Sequence, residues 1–117
     1  MAIEQDPYGT LLNLPEVAER FGIPVTSVRQ LLKDGKLLAV RVDGVLYVPE
    51  ILLATDEPAP VKGLPGLIML LRDGRFSEEE ILRWMFTTDD SLPGRPADAL
   101  AENRMTEVRR RAQALGF

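Results

Sequence analysis

The stretch NLPEVAERFGIPVTSVRQLLKDGKLLAVRVDGVLYVP, residues 13–49, decides the fold. Asn13 can accept a bond from first-turn amides, and Glu16 three residues later completes a capping-box spacing. Pro15 fits a first turn, where its missing N–H would have no intrahelical partner. Leu14, Val17, Ala18 and Phe21 then fall on one helical stripe, and Gly22 supplies a residue that takes positive φ cheaply. Pro24 marks a second start, Val25, Val28, Leu31 and Leu32 form its stripe, and Gly35 stops it. Two short amphipathic helices joined by about three residues form a helix-turn-helix arrangement. After Leu37 the period drops from 3.6 to 2. Ala39–Val42 and Val45–Val48 flank Asp43-Gly44, the pairing a type I′ hairpin turn favours, and Pro49 closes the second strand. Glu50–Ala54 adds at most one helical turn. A hairpin this small cannot stand alone, so it must lean on the helices.

The outer face of the second helix carries Thr26, Arg29, Gln30 and Lys33 at i, i+3, i+4 and i+7. Hydroxyl, guanidinium, amide and ammonium groups on one exposed helix face match the donor and acceptor pattern of a DNA major groove. The competing reading is a merely solvated face. Thr26 and Ser27 stand where a helix N-terminus would meet phosphate, and Arg41 on the hairpin is placed to reach the backbone. A structural role is the alternative for each of these three.

Outward from this unit, residues 1–12 (MAIEQDPYGTLL) show no period and read as an arm, mobile or pinned by Tyr8, Leu11 and Leu12. Residues 13–54 form the winged unit, and 55–62 (TDEPAPVK) a proline-bearing linker. Residues 63–117 read as four short helices. Leu67, Ile68, Leu70 and Leu71 mark a buried helix ended by Gly74. Ser77 with Glu80 gives a second capping box, ahead of Ile81, Leu82, Trp84, Met85 and Phe86. Thr87–Arg95 is a loop, Pro96 begins a helix through Asn103, and Met105, Val108, Ala112 and Leu115 line the last. The expected fold class is mainly α with a small β-hairpin: a winged helix-turn-helix followed by a C-terminal helical domain.

Composition narrows function. The 117 residues contain no Cys and no His, which removes thiol and imidazole nucleophiles, bases and metal ligands, so no enzyme, cofactor or metal site is expected. No apolar run is long enough to span a bilayer, and the N-terminus lacks a signal-peptide pattern, so a cytoplasmic protein is expected. The net charge of −4 argues against gripping a polyanion with the whole surface. From Glu16 to Val48, however, five cations face four anions, so any nucleic-acid contact is local. Arg109–Arg111 reads as solvated or internally paired. Trp84 reads as core, and Asp89 and Asp90 as a turn rather than a cation site.

The quoted stretch resembles the winged helix-turn-helix of excisionase-like and MerR-like proteins. Pro24 stands where those usually place a Ser cap, and the wing tip Val42–Val45 lacks their Arg or Lys. The whole chain more closely resembles an actinobacterial family of small DNA-binding regulators, through motifs at Lys62–Gly74, Glu80–Thr87 and Pro96–Ala114. That resemblance implies a transcription-associated protein whose partner is double-stranded DNA, and in some mycobacterial relatives a target of Ser/Thr protein kinases. Thr10, Thr87, Thr88 and Ser91 are the hydroxyls a kinase would find. One small module offers little interface, so two copies on DNA are expected, with the C-terminal helices as the dimerising or partner-binding surface. Trp84, Leu92, Gly94 and Pro96 also loosely resemble the toxin-binding domain of a bacterial antitoxin class. The alternative function is therefore an antitoxin-like or adaptor module whose C-terminal half binds another protein.

Overall fold

The computed structural model describes residues 1–92 and 94–115; Pro93 of the expected loop and the last two residues of the 63–117 domain lie outside them. The order of elements is β1 (Ile3–Gln5), β2 (Gly9–Asn13), α1 (Leu14–Phe21), α2 (Val25–Lys33), β3 (Val40–Val42), β4 (Val45–Pro49) and a 3₁₀ turn (Glu50–Leu52). The C-terminal helices are α3 (Leu64–Asp73), α4 (Glu78–Met85), α5 (Pro96–Ala101) and α6 (Met105–Gln113).

The capping signals form as the sequence predicts. At the start of α1, the Glu16 N–H donates to Asn13 Oδ1 at 2.9 Å and the Asn13 N–H donates to Glu16 Oε1 at 2.8 Å. Ser77 and Glu80 make the same reciprocal pair at α4. Gly22 and Gly35 are left-handed, with φ of 67° and 71°. After α2, the Lys36 N–H reaches back to the Leu31 carbonyl and the Gly35 N–H to that of Leu32, which closes the helix with a Schellman motif. At the hairpin, Asp43 (φ 50°) and Gly44 (φ 80°) both turn left-handed, and Val42 pairs with Val45.

The wing is half of a larger sheet. Residues 1–12 supply two strands, and the antiparallel order is β1-β2-β4-β3. Leu11 and Leu12 of β2 pair with Pro49 and Val48 of β4 and are buried. The N-terminal segment is thus ordered by partners 36 and 38 residues away in sequence, Val48 for Leu12 and Pro49 for Leu11, which no local period reveals. The 55–62 segment is likewise folded back: Leu53 bridges Pro60, and the Val61 N–H donates to the Leu52 carbonyl at 2.8 Å.

One apolar cluster runs through both halves, from Leu11, Val17, Val28 and Val48 through Leu52, Val61 and Leu64 to Ile68, Met85, Leu100 and Val108. The radius of gyration, 13.5 Å, matches the value of about 13 Å for one compact body of this length. A polar clasp reinforces the junction. Arg95 donates to both Asp98 carboxylate oxygens and to the Pro7 carbonyl, and its guanidinium carbon lies 5.3 Å from the Phe86 ring centre. Tyr8 meets the same ring edge-on, with centroids 5.0 Å apart. Hydrogen bonds from Arg95, helped by its charge, hold the Asp98 carboxyl below its ordinary pKa against the opposing effect of burial.

Gly74 ends α3 as the sequence predicts, with an ordinary φ of −79°, and the residue after it, Arg75, is left-handed at φ 68°. One C-terminal expectation shifts in detail. Leu115, expected along the apolar side of α6, is 40% exposed. Trp84 is half-buried against the core, and Asp89 accepts bonds from the backbone and hydroxyl of Ser91 in a turn. Among the described residues no helix is long and apolar enough to cross a membrane.

Candidate nucleic-acid interface

Helix α2 is held from one side only. Val28 is wholly buried, Val25, Leu31 and Leu32 pack against the core, and α1 is its main neighbour. The opposite side is open. Thr26, Arg29, Gln30 and Lys33 are all exposed, and Ser27 is half-buried at the helix start. The C-terminal domain leaves this face uncovered; its α3 meets the region behind α2, where Arg72 lies over the bare backbone of Gly35. A Cβ at Gly35 would stand 2.4 Å from Arg72 Nη1.

The six residues singled out in the sequence differ in readiness. Among the described residues, Arg29 and Lys33 have no carboxylate within 4 Å. Gln30 donates its side-chain N–H to Asp34 Oδ1 at 2.8 Å, so reaching another acceptor requires exchanging that bond. The capping position, Pro24, offers no side-chain acceptor, and its carbonyl accepts from Ser27 and Val28 N–H. The first amides of α2, beside Thr26, therefore remain for solvent or an anion. Arg41 folds back on the wing, donating from Nη1 to the Gly44 carbonyl at 3.1 Å. That bond braces the turn and leaves the remaining guanidinium donors outward.

The sequence reading missed two members of this face. Lys36, exposed one residue past the Schellman glycine, extends the row of cations beyond Lys33. Asp34 restrains Gln30, and the i, i+4 spacing of the two was a readable signal. At the wing tip Val45 is 46% exposed, an apolar tip where wings of other proteins carry a cation.

A two-helix unit followed by a β-hairpin wing and backed by a small sheet defines the winged helix-turn-helix class, here with a helical domain appended. The family model "DNA-binding protein Rv2175c, wHTH domain" matches residues 5–53, and "Rv2175c C-terminal domain of unknown function" matches residues 61–116. The chain belongs to this Rv2175c family. It is 41% identical, over 96% of its own length and 84% of the relative's, to the "DNA-binding protein Rv2175c" of Mycobacterium tuberculosis (strain ATCC 25618 / H37Rv). The NMR structure of Rv2175c superposes with a TM-score of 0.87 at 40% identity, covering 97% of this chain and 85% of that one.

Proposed function

We propose that this chain is a non-enzymatic, double-stranded-DNA-binding protein that acts in transcriptional regulation. In this reading α2 enters the major groove, α1 braces it, and the β3–β4 wing lies beside the backbone. The observation that carries the reading is the uncovered face of α2, with Arg29 and Lys33 exposed and without an ion-pair partner among the described residues. The reading is supported by the chain's M. tuberculosis relative, itself a DNA-binding protein. Arg29 and Gln30 are placed to read base edges; Thr26, Ser27, Lys33 and Arg41 are placed to meet phosphates.

One such module covers on the order of 600–1,000 Å² of protein surface, so useful specificity calls for two copies on one site, joined through the C-terminal helices. A kinase acting on an exposed hydroxyl near the winged unit would oppose binding by charge repulsion. The test is a gel-shift titration of the full chain with genomic fragments at two salt concentrations. Retarded fragments whose affinity falls with salt are the expected result. Unchanged mobility of every fragment at low salt, with folded protein, overturns the reading.

A further inference from the structure

A recess of about 270 Å³ opens between the first turn of α3 and the outer side of α6, where two of the C-terminal sequence motifs meet. The buried Leu67 and Leu100 and the half-buried Met105 line it, with Arg109 and Arg110 at its rim. Gly63 shapes the lip. It has φ +90°, and a Cβ there would stand 2.9 Å from Met105 Cβ and 3.0 Å from its sulfur. The next glycine, Gly66, is exposed, and a Cβ on it would come within 3.5 Å of Arg109 Nη1. That end of α3 is therefore bare backbone beside a guanidinium.

The arginines of α6 divide into two sets. Arg104 is engaged by Glu107, and Arg111 donates to the hydroxyl and carbonyl of Ser91. Arg109 and Arg110 are exposed, with no carboxylate within 4 Å among the described residues. Glu107 is turned to Arg104 and feels Arg110 only at longer range. Among the described residues no acidic side chain lines the recess. Two unneutralised guanidiniums beside an apolar hollow have a definite complement: carboxylates for the rim and one aliphatic or aromatic side chain for the hollow.

Volume and position choose the occupant. Drug-sized ligands fill about 300–1,000 Å³, more than this recess holds. A DNA phosphate has no apolar group to seat there. The recess also lies toward the opposite end of α3 from Arg72 and Gly35, its lining residues Gly63 and Leu67 about 8–14 Å from Arg72 along the helix. We propose that the recess docks a protein partner through an acidic segment carrying one bulky apolar anchor. Nothing in this depends on DNA recognition by α2.

The test titrates full-length, ¹⁵N-labelled protein with the capped heptapeptide DDEFLDD, and separately with KKKFLKK. The expected result is saturable shifts at the amides around Gly63, Leu67, Met105 and Arg110 with the acidic peptide alone. An Arg109→Glu/Arg110→Glu variant should weaken this at least tenfold while its DNA affinity stays within twofold of the parent. Arg109→Gln/Arg110→Gln serves as the milder pair should charge reversal impair folding. No saturable shift at millimolar acidic peptide, or an equal response to the basic one, overturns the proposal. So does a tenfold loss of DNA affinity in the variant, which gives the rim to phosphate. Self-association that sedimentation detects and the variant abolishes also overturns it, because the occupant is then a second copy.

Discussion

Replacing Arg29 and Lys33 by Ala tests the recognition face with little interference from stability. Both side chains are exposed and make no ion pair among the described residues, so truncation strands no buried partner there. Thermal stability should stay within about 0.5 kcal/mol of the parent. The entire loss should therefore appear in binding. A guanidinium bidentate to a guanine contributes about 1–3 kcal/mol, so Arg29→Ala should weaken binding to a selected duplex roughly 5- to 150-fold. It should weaken binding to an unrelated duplex much less. Lys33→Ala should act on both duplexes alike and lower the slope of log affinity against log salt by about 0.9, one phosphate's worth. Gln30→Ala should cost less than Arg29→Ala, because Gln30 already spends its amide on Asp34. The assay is fluorescence anisotropy of labelled duplexes from 50 to 200 mM salt, about the range over which counterion release dominates. If the double variant binds the selected duplex within twofold of the parent and melts at the same temperature, α2 does not carry recognition.

Three further outcomes test the scaffold. Asn13→Ala removes the reciprocal cap that joins β2 to α1 and should cost about 1 kcal/mol in urea unfolding. Arg75→Gly relieves a left-handed non-glycine on an exposed residue and should raise stability by about 1 kcal/mol, seen as a higher melting temperature. Asp98→Asn probes the clasp: because the Asp98 pKa is depressed in the fold, its stabilisation is present above the unfolded carboxylate value of about 3.9 and is lost as pH falls through the lower folded value. With the pair a quarter to a third exposed, solvent screening limits the pH 7 difference between parent and variant to about 1 kcal/mol. Urea midpoints measured from pH 7 to pH 2 should converge at the acid end; a constant gap would mean that the carboxylate charge is not what stabilises the clasp.

What the sequence disclosed was what acts within a few residues. Asn13 with Glu16, Ser77 with Glu80 and Asp43 with Gly44 each complete their geometry inside one turn, so residue type and spacing suffice. The exposed side of α2 was legible for the same reason, since the 3.6 period sorts Val28 from Arg29. Strands β1 and β2 were not, because Leu12 is ordered by Val48 and the intervening residues give no sign of it. The Arg95–Pro7 bond spans 88 residues and lies beyond any local pattern. At α3, Gly74 ends the helix as its residue type suggests, but the left-handed conformation of Arg75 just beyond it has no signal in residue type. Within the candidate interface, the bond from Arg41 to the Gly44 carbonyl depends on a rotamer, which residue type alone does not set.

An anionic chain can still present a cationic face because a third of its 18 carboxylates, six of them, are engaged away from that face. Glu16 and Glu80 cap helices, Glu50 pairs with Arg20, Glu78 with Arg72, Asp98 with Arg95 and Glu107 with Arg104. Among the described residues, Arg29, Lys33, Lys36 and Arg41 have no carboxylate partner and share one segment, against Asp34 and Asp43 nearby. Distance favours the local sum over the global one. At physiological salt a charge is felt over about 8 Å, whereas the molecule measures 37 × 30 × 25 Å. A phosphate beside α2 therefore responds to these four cations and two anions, while most of the remaining acids act on it only weakly. The net charge of −4 bears on solubility and on long-range approach at low salt; for an anion in contact with α2, the charges on and beside that helix set the sign.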